Sequence, residues 1–282
     1  MNRISGLSNA VKITTLDDPR VDPFRNVRDA DLRGRDHLCM VESEMVVKRL
    51  LETNWEIHSL LISPNKCERL SRHLHDRDIP ILIADISLMS EITGFNIHRG
   101  VLAAVRRPPS NTHSVQRLIE RFQGEKQLSI LMAEGITNID NMGSLFRNAA
   151  AFGVNAIVLD ECCCDPLYRK SIRVSMGHTF SIPFAITDSW IHELPLLKHE
   201  LNIKLIGCEL SDHAVPVWQV DQGDRFGLIM GGEKHGLSKA TIDQCDVVAQ
   251  IPMSDAVPSI NVAIASAVAL YEFLRGDSFN NG

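Results

Sequence analysis

Three short segments hold the residues whose types and spacing can do chemistry. The first runs from Glu134 through Gly135, Asn138, Asn141 and Gly143 to Arg147. Asn141 is suited to capping the helix that follows. Arg147, four residues beyond Gly143, projects from the first turn or two of that helix towards the strand ends. There its guanidinium can grip a phosphate, or pair with an acid as a surface arginine. The second segment is Met230-Gly231-Gly232-Glu233-Lys234-His235-Gly236-Leu237-Ser238. Paired glycines at a strand end let a backbone come close to a ligand, although an ordinary strand–helix turn uses glycine as well. The third runs from Ile251-Pro252-Met253 to Ser259-Ile260-Asn261-Val262. Here Ser259 reads as an N-cap with Asn261 in the first turn, and the free amides of the helix start can hold polar ligand atoms.

Other chemistries are excluded by what the chain lacks. No GxGxxG follows a strand, and no GxxxxGK[ST] or GxSxG occurs. After His192-Glu193 the next histidine comes too late for a zinc protease, and Pro195 is expected to interrupt the helix. Seven cysteines without a CxxC read as reduced thiols in a cytoplasmic protein. The run Cys162-Cys163-Cys164 has no basic partner in sequence and reads as packing, and nothing indicates a metal site.

These segments need elements to position them. At roughly 150 residues per domain, 282 residues imply about two domains. Hydrophobic residues at 44% and charged residues at 23% are ordinary for a globular protein. The N-terminus has no apolar signal-peptide core and no stretch reads as a membrane span. Residues 1–23 read as a flexible N-terminal arm and 24–107 as a small α/β domain. The Pro108-Pro109 break opens a linker over 108–115, and 116–282 form a second α/β domain. In that domain, apolar strands at 128–136, 153–160, 202–210 and 225–233 alternate with helices. This predicts a mostly parallel sheet, with ligands at the carboxyl ends of its strands. The net charge of −6 is uneven. Residues 1–110 carry 16 Lys+Arg against 15 Asp+Glu, and 13 of those cations are Arg. Arginine favours a polyanion face there, but a near-zero sum does not by itself demonstrate nucleic-acid binding. In the second domain Tyr168, Arg169, Lys170 and Arg173 form the clearest basic and aromatic patch, read equally as an RNA contact or a solvated loop.

Together and in this order, the three segments resemble the motifs of the SpoU (TrmH-like) branch of the SPOUT RNA methyltransferases. Asn141, Gly143 and Arg147 match its N-x-G-x-x-x-R. Met230, Gly231, Glu233, Gly236, Leu237 and Ser238 match M-G-x-E-x-x-G-L-S. Ile251, Pro252, Met253, Ser259, Ile260, Asn261 and Val262 match I-P-M…S-[LI]-N-V. The match covers about residues 128–275. Residues 24–107 are similar to the RNA substrate-binding domain that many SpoU enzymes carry, with Val41-Glu42-Ser43-Glu44 at its V-E-G-E and Ser43 in place of glycine.

The resemblance implies a deep trefoil knot in the second domain, a homodimer whose active site draws on both subunits, and S-adenosylmethionine as cofactor. It places Met230, Gly231, Ile251 and Ile260 at the cofactor. It makes Arg147, Asn141, Glu233, Ser259 and Asn261 the catalytic set, with Glu233 orienting Arg147 or a ribose hydroxyl. The implied reaction is methylation of a ribose 2′-hydroxyl in tRNA or rRNA. The alternatives are an RNA-binding protein of this fold without turnover and a methyltransferase acting on an RNA base. A nucleotide-dependent oxidoreductase is a distant third, for want of the glycine fingerprint.

Overall fold

The computed structural model describes residues 7, 9–25, 27, 37–75, 77–254, 256–257 and 259–275. Two compact units emerge: the chain up to Pro108 together with Leu167–Ser181, and Pro109–Pro166 together with the chain from Ile182 onward.

The first unit carries a five-stranded sheet of β1 (Ala10–Lys12), β2 (Leu38–Glu42), β3 (Ile57–Ile62), β4 (Ile81–Ile83) and β5 (Val101–Arg106), in the order β1-β4-β3-β5-β2. Helices α1 (Glu44–Leu51), α2 (Pro64–Leu74) and α3 (Ile86–Thr93) alternate with these strands. Within the arm expected over 1–23, residues 10–12 and 19–23 form ordered elements. β1 pairs in parallel with β4, and Ile13, Val21 and Phe24 are buried in this unit's core. Charged neighbours mask three apolar residues that a sheet edge can bury, and the polar composition misled. Pro19 starts a 3-10 helix over Pro19–Phe24 whose first turn is capped by Asp18.

Helix α6 (Arg169–Val174) packs with this unit although its flanking strands lie in the other. Arg173 reaches Glu42 at 3.4 Å, Arg169 stacks over Phe95, and Gly177 sits against Val46 with φ +83°. Two cations of the basic patch are therefore engaged inside the first unit.

The second unit is a seven-stranded sheet in which every pairing is parallel. Its strands are β6 (Leu128–Glu134), β7 (Ala156–Leu159), β8 (Phe184–Ile186), β9 (Lys204–Cys208), β10 (Val215–Pro216), β11 (Arg225–Gly231) and β12 (Val247–Gln250). Their order is β10-β12-β9-β11-β6-β7-β8. Four of the seven are the apolar runs legible in sequence. β8 and β10 span only three and two residues, too short to stand out as apolar runs, and β12 holds three apolar residues before Gln250. The helices are α4 (Val115–Phe122), α5 (Ile139–Ala151), α7 (Trp190–Leu201), α8 (Lys239–Ile242) and α9 (Val262–Leu274). α4 lies within the stretch taken as linker and early second domain, and it buries Val115, Leu118, Ile119 and Phe122 in the unit's core.

Pro195 does not interrupt α7, which runs through it. A helix-interior proline leaves the carbonyl four residues earlier without its donor. That carbonyl, Ile191, receives the Gln244 side-chain amide at 3.4 Å instead. Among the described residues, no helix is long and apolar enough to cross a membrane.

Candidate active site

The parallel register brings four strand ends into line. Gly231 at the end of β11 pairs with Glu134 at the end of β6, and Met230 pairs with Cys208 at the end of β9. Cys208 in turn lies opposite Ala249 of β12. Beyond the carboxyl ends of β9, β11 and β12, and against the start of α9, a cavity of about 510 Å³ opens. It is lined by Cys208, Glu209, Met230, Gly231, Gly232, Glu233, Gln250, Ile251, Met253, Ser259, Ile260, Asn261 and Ala265, among others. This is where an open parallel sheet is expected to take a ligand.

The glycines here are required by space. A Cβ on Gly231 would lie 2.2 Å from the Gly236 carbonyl carbon and 2.4 Å from the Leu237 nitrogen. One on Gly232 would lie 2.5 Å from the Gly135 oxygen. The loop after β11 is folded back on itself, with Gly236 N–H donating to the Gly232 carbonyl at 2.9 Å. Gly236 closes this turn at φ +62°. Glu134 Oε2 accepts from Ser238 N–H at 3.1 Å, tying the loop to the end of β6.

A chain of side-chain hydrogen bonds crosses from α9 to this loop. Asn261 Nδ2 donates to Asn141 Oδ1 at 2.9 Å, and Asn141 Nδ2 donates to Glu233 Oε1. Asn141 is buried, so both ends of its amide are satisfied by residues of the other two motifs. Asn148 adds a second tie between α5 and α9, donating to the Ala263 carbonyl and to Ser266 Oγ at 2.6 and 2.9 Å.

Three local expectations need correction. The cap of α5 is Asn138, whose Oδ1 accepts from the Asp140 and Asn141 amides. Asn141 sits inside the helix, which frees its side chain for the cross-motif bonds. The cap of α9 is Asn261 rather than Ser259. Its Oδ1 takes the Ala263 and Ile264 amides at 2.9 and 3.4 Å, so those two groups are already occupied by the chain itself. Arg147 falls in the third turn of α5, about 12 Å along the axis from the helix start. It is exposed, lies outside the cavity lining, and its side chain makes no hydrogen bond or ion pair with another described residue. Glu233 therefore contacts Asn141 and not Arg147.

Seven of the nine residues singled out from sequence line the cavity: Met230, Gly231, Glu233, Ile251, Ser259, Ile260 and Asn261. Asn141 joins them through its two bonds, and Arg147 does not. Glu209 is a lining residue that sequence reading passed over, because it stands outside all three motifs.

The cysteine run is structural. Half-buried Cys163 Sγ accepts from the Ile136 amide at 3.3 Å, and the Cys164 amide donates to the Ile136 carbonyl at 2.8 Å. Asp160 Oδ2 accepts from the Gly135 amide at 2.9 Å. Burial, with Asp160 beside it, pushes the Cys163 thiol far above the range in which a thiolate forms. Burial likewise pushes Cys164 up to about 11 and Cys208 to about 12. The Cys163 thiol and the Cys164 amide hold Ile136 of the first motif, and all three thiols are poor nucleophiles.

A parallel α/β unit with a glycine-walled cavity at its strand ends belongs with the open-sheet α/β proteins that take their ligands there. More particularly, the chain belongs to the SpoU rRNA Methylase family, whose model matches residues 129–271. It is 36% identical over 270 residues to an uncharacterized tRNA/rRNA methyltransferase of Mycobacterium bovis, covering 92% of this chain and 90% of that protein. It is 30% identical over 188 residues to the 23S rRNA (guanosine-2′-O-)-methyltransferase RlmB of Acinetobacter baylyi, covering 66% of this chain and 75% of the relative. Its fold is similar to that of an AdoMet-bound rRNA methyltransferase from Sinorhizobium meliloti. That likeness has a TM-score of 0.81 at 22% identity and covers 95% of this chain and 98% of the other.

Proposed function

We propose that this chain transfers a methyl group from S-adenosylmethionine to a ribose 2′-hydroxyl of RNA, either tRNA or rRNA. The observation that carries the reading is the Asn261–Asn141–Glu233 chain, which joins the three motifs and puts two of its members on the wall of a glycine-walled cavity. The ribose specificity draws on the relative named as a guanosine-2′-O-methyltransferase.

The cavity fits the cofactor by size and charge. At about 510 Å³ it falls within the usual range for small-ligand pockets. Glu209 and Glu233 outweigh Lys234 on its wall, which suits a ligand with a net positive charge. Met230, Gly231, Ile251 and Ile260 would hold it, the glycine by letting backbone approach and the others by apolar contact.

The cofactor supplies an electrophilic methyl group, and the chain's own residues supply placement. Asn141 occupies one oxygen of Glu233 and so fixes the direction of the other, which can accept from a ribose hydroxyl. Asn261 holds Asn141 and caps α9 with the same side chain. Ser259 shapes the wall beside them. A guanidinium stays protonated in proteins, so Arg147 serves by gripping a phosphate and not as a base. Positioning of this kind can contribute several kcal/mol over free encounter.

Arg147 lies off its own cavity, and we assign its action to a homodimer in which two copies complete each site. α9 supports this, since Ile264, Val268 and Tyr271 form an exposed apolar stripe beside lining residue Ala265. The deep trefoil knot and a cytoplasmic setting with reduced thiols belong to the same reading. Light scattering should give twice the monomer mass at micromolar concentration; a monomer overturns the dimer.

The test uses purified protein, tritiated S-adenosylmethionine and RNA from a strain lacking the gene. Label that survives alkali as a dinucleotide establishes ribose methylation, and the size of the labelled RNA chooses tRNA or rRNA. Alkali-labile label assigns the methyl to a base. Cofactor binding with no label from either RNA assigns a binding protein without turnover.

A further inference from the structure

Glu209 is a carboxylate outside every motif, yet it sits on the cavity wall and controls the loop that forms it. It follows the last residue of β9, and its amide donates to the Ala249 carbonyl at 2.9 Å. Its Oε2 accepts from the Leu237 amide at 2.7 Å and its Oε1 from the Leu210 amide at 3.1 Å. The carboxylate thus ties the end of β9 to the loop that follows β11. It also dictates the residue opposite, since a Cβ on Gly236 would lie 2.1 Å from Oε2.

An ionised carboxylate has about four lone-pair directions, and one amide on each oxygen leaves two unused. Being acceptor-only, the group can be completed only by donors, and its two oxygens suit a pair of adjacent ones. A vicinal ribose diol offers such a pair. In other parallel α/β folds an acid at a strand end plays this part for a bound nucleotide. The lining is apolar at Met230, Ile251, Met253 and Ile260, and these positions suit a base and not a diol.

We propose that Glu209 is a specificity residue for the cofactor, accepting from the hydroxyls of its ribose while holding the Gly236–Leu237 turn in place. This rests on the cofactor assignment made above. The two roles separate in a binding experiment that needs no turnover. Affinities of S-adenosylhomocysteine and of its 2′-deoxy and 3′-deoxy analogues are measured by calorimetry on the full chain and on three variants. The wild type should bind at least one deoxy analogue about tenfold more weakly than the parent, the usual size of a lost hydrogen bond to a charged group. Glu209→Gln should bind the parent about tenfold more weakly and show no further loss with that analogue. Glu209→Asp, which keeps the charge but withdraws it by one methylene, should also lose the preference. Gly232→Ala disturbs the same loop against the Gly135 oxygen, 2.5 Å from the added carbon, without meeting Glu209, so it should weaken all three ligands and leave their ratio intact.

A wild type indifferent to both hydroxyls overturns the proposal, as does Glu209→Gln or Glu209→Asp with the tenfold preference retained. If the wild type binds neither S-adenosylhomocysteine nor S-adenosylmethionine, the cofactor assignment itself fails.

Discussion

Replacing Gly231 with alanine tests whether the cavity depends on backbone meeting backbone. Gly231 is not in the left-handed region, so alanine brings no dihedral penalty and the whole effect is steric. The new Cβ would meet the Gly236 carbonyl carbon at 2.2 Å, the Leu237 nitrogen at 2.4 Å and the Gly236 oxygen at 2.6 Å. Ordinary contact starts at 3.4 Å, so the loop must retreat by about 1.2 Å. No flexible side chain is available to absorb that movement. Overpacking of this sort costs about 1–3 kcal/mol, and a unit of this size loses roughly 2–4 °C in Tm per kcal/mol. Scanning calorimetry should therefore show a fall of roughly 2–12 °C. Retreat of the loop also pulls Leu237 away from Glu209 and distorts the cavity wall. Affinity for S-adenosylhomocysteine should drop by about 100-fold, equivalent to about 2.7 kcal/mol. Gly223→Ala is the control: its φ is +68° but no atom lies within 4 Å of the added carbon. That variant carries only the left-handed penalty of about 1–2 kcal/mol, and ligand affinity should not change. A Gly231→Ala protein with Tm within 1 °C of wild type and unchanged affinity would refute the steric argument.

Arg147→Ala should abolish methyl transfer and leave S-adenosylhomocysteine affinity within about twofold, because the side chain is outside the cavity lining; near-normal turnover removes it from the catalytic set. Asn261→Ala removes the cap of α9, worth about 1 kcal/mol, and releases Asn141 from its partner. It should lower Tm by a few degrees and turnover by at least tenfold, and an unchanged rate argues against the hydrogen-bonded chain. In the first unit, hydrogen bonds from Lys66 and Lys48 hold the Glu44 carboxyl at about 2, below its ordinary 4.5. A carboxyl depressed on folding stabilises above its unfolded value, and that stabilisation is lost as pH falls through its folded value. Glu44→Gln should therefore be less stable than wild type at pH 7, with the gap closing between about pH 4.5 and 2. Denaturant midpoints that run parallel over that range contradict the assignment.

The sequence by itself determined the chemistry and most of the framework. Apolar runs at 128–136, 153–160, 202–210 and 225–233 marked four parallel strands, since buried strands are continuous in their hydrophobicity. The three motifs carried residue types that the fold uses at their own positions, so Gly231, Glu233 and Asn261 could be named without coordinates. Local signals failed where a competing partner stands far along the chain. Asn141 looks like a cap until Asn138 takes that task, and only the approach of α9 and the loop after β11 shows what its amide is for. Pro195 looks like a helix end until Gln244 supplies the missing donor from 49 positions on. The polar stretch before Phe24 looks like a loose arm until β4 offers an edge for Ala10–Lys12.

Only the tertiary structure decided three things that bear on function. It placed Arg147 outside the cavity, because helix phase depends on where the cap falls and a shift of three residues turns the side chain elsewhere. It brought the carboxylate of Glu209 to the cavity wall, because strand order puts β9 beside β11 although 16 residues separate them. It also gave the Arg169–Val174 helix to the first unit, through Arg173 on Glu42 and Arg169 on Phe95. Each of these depends on pairing between distant segments, and the energy of such pairing belongs to surfaces that meet only when the chain is folded.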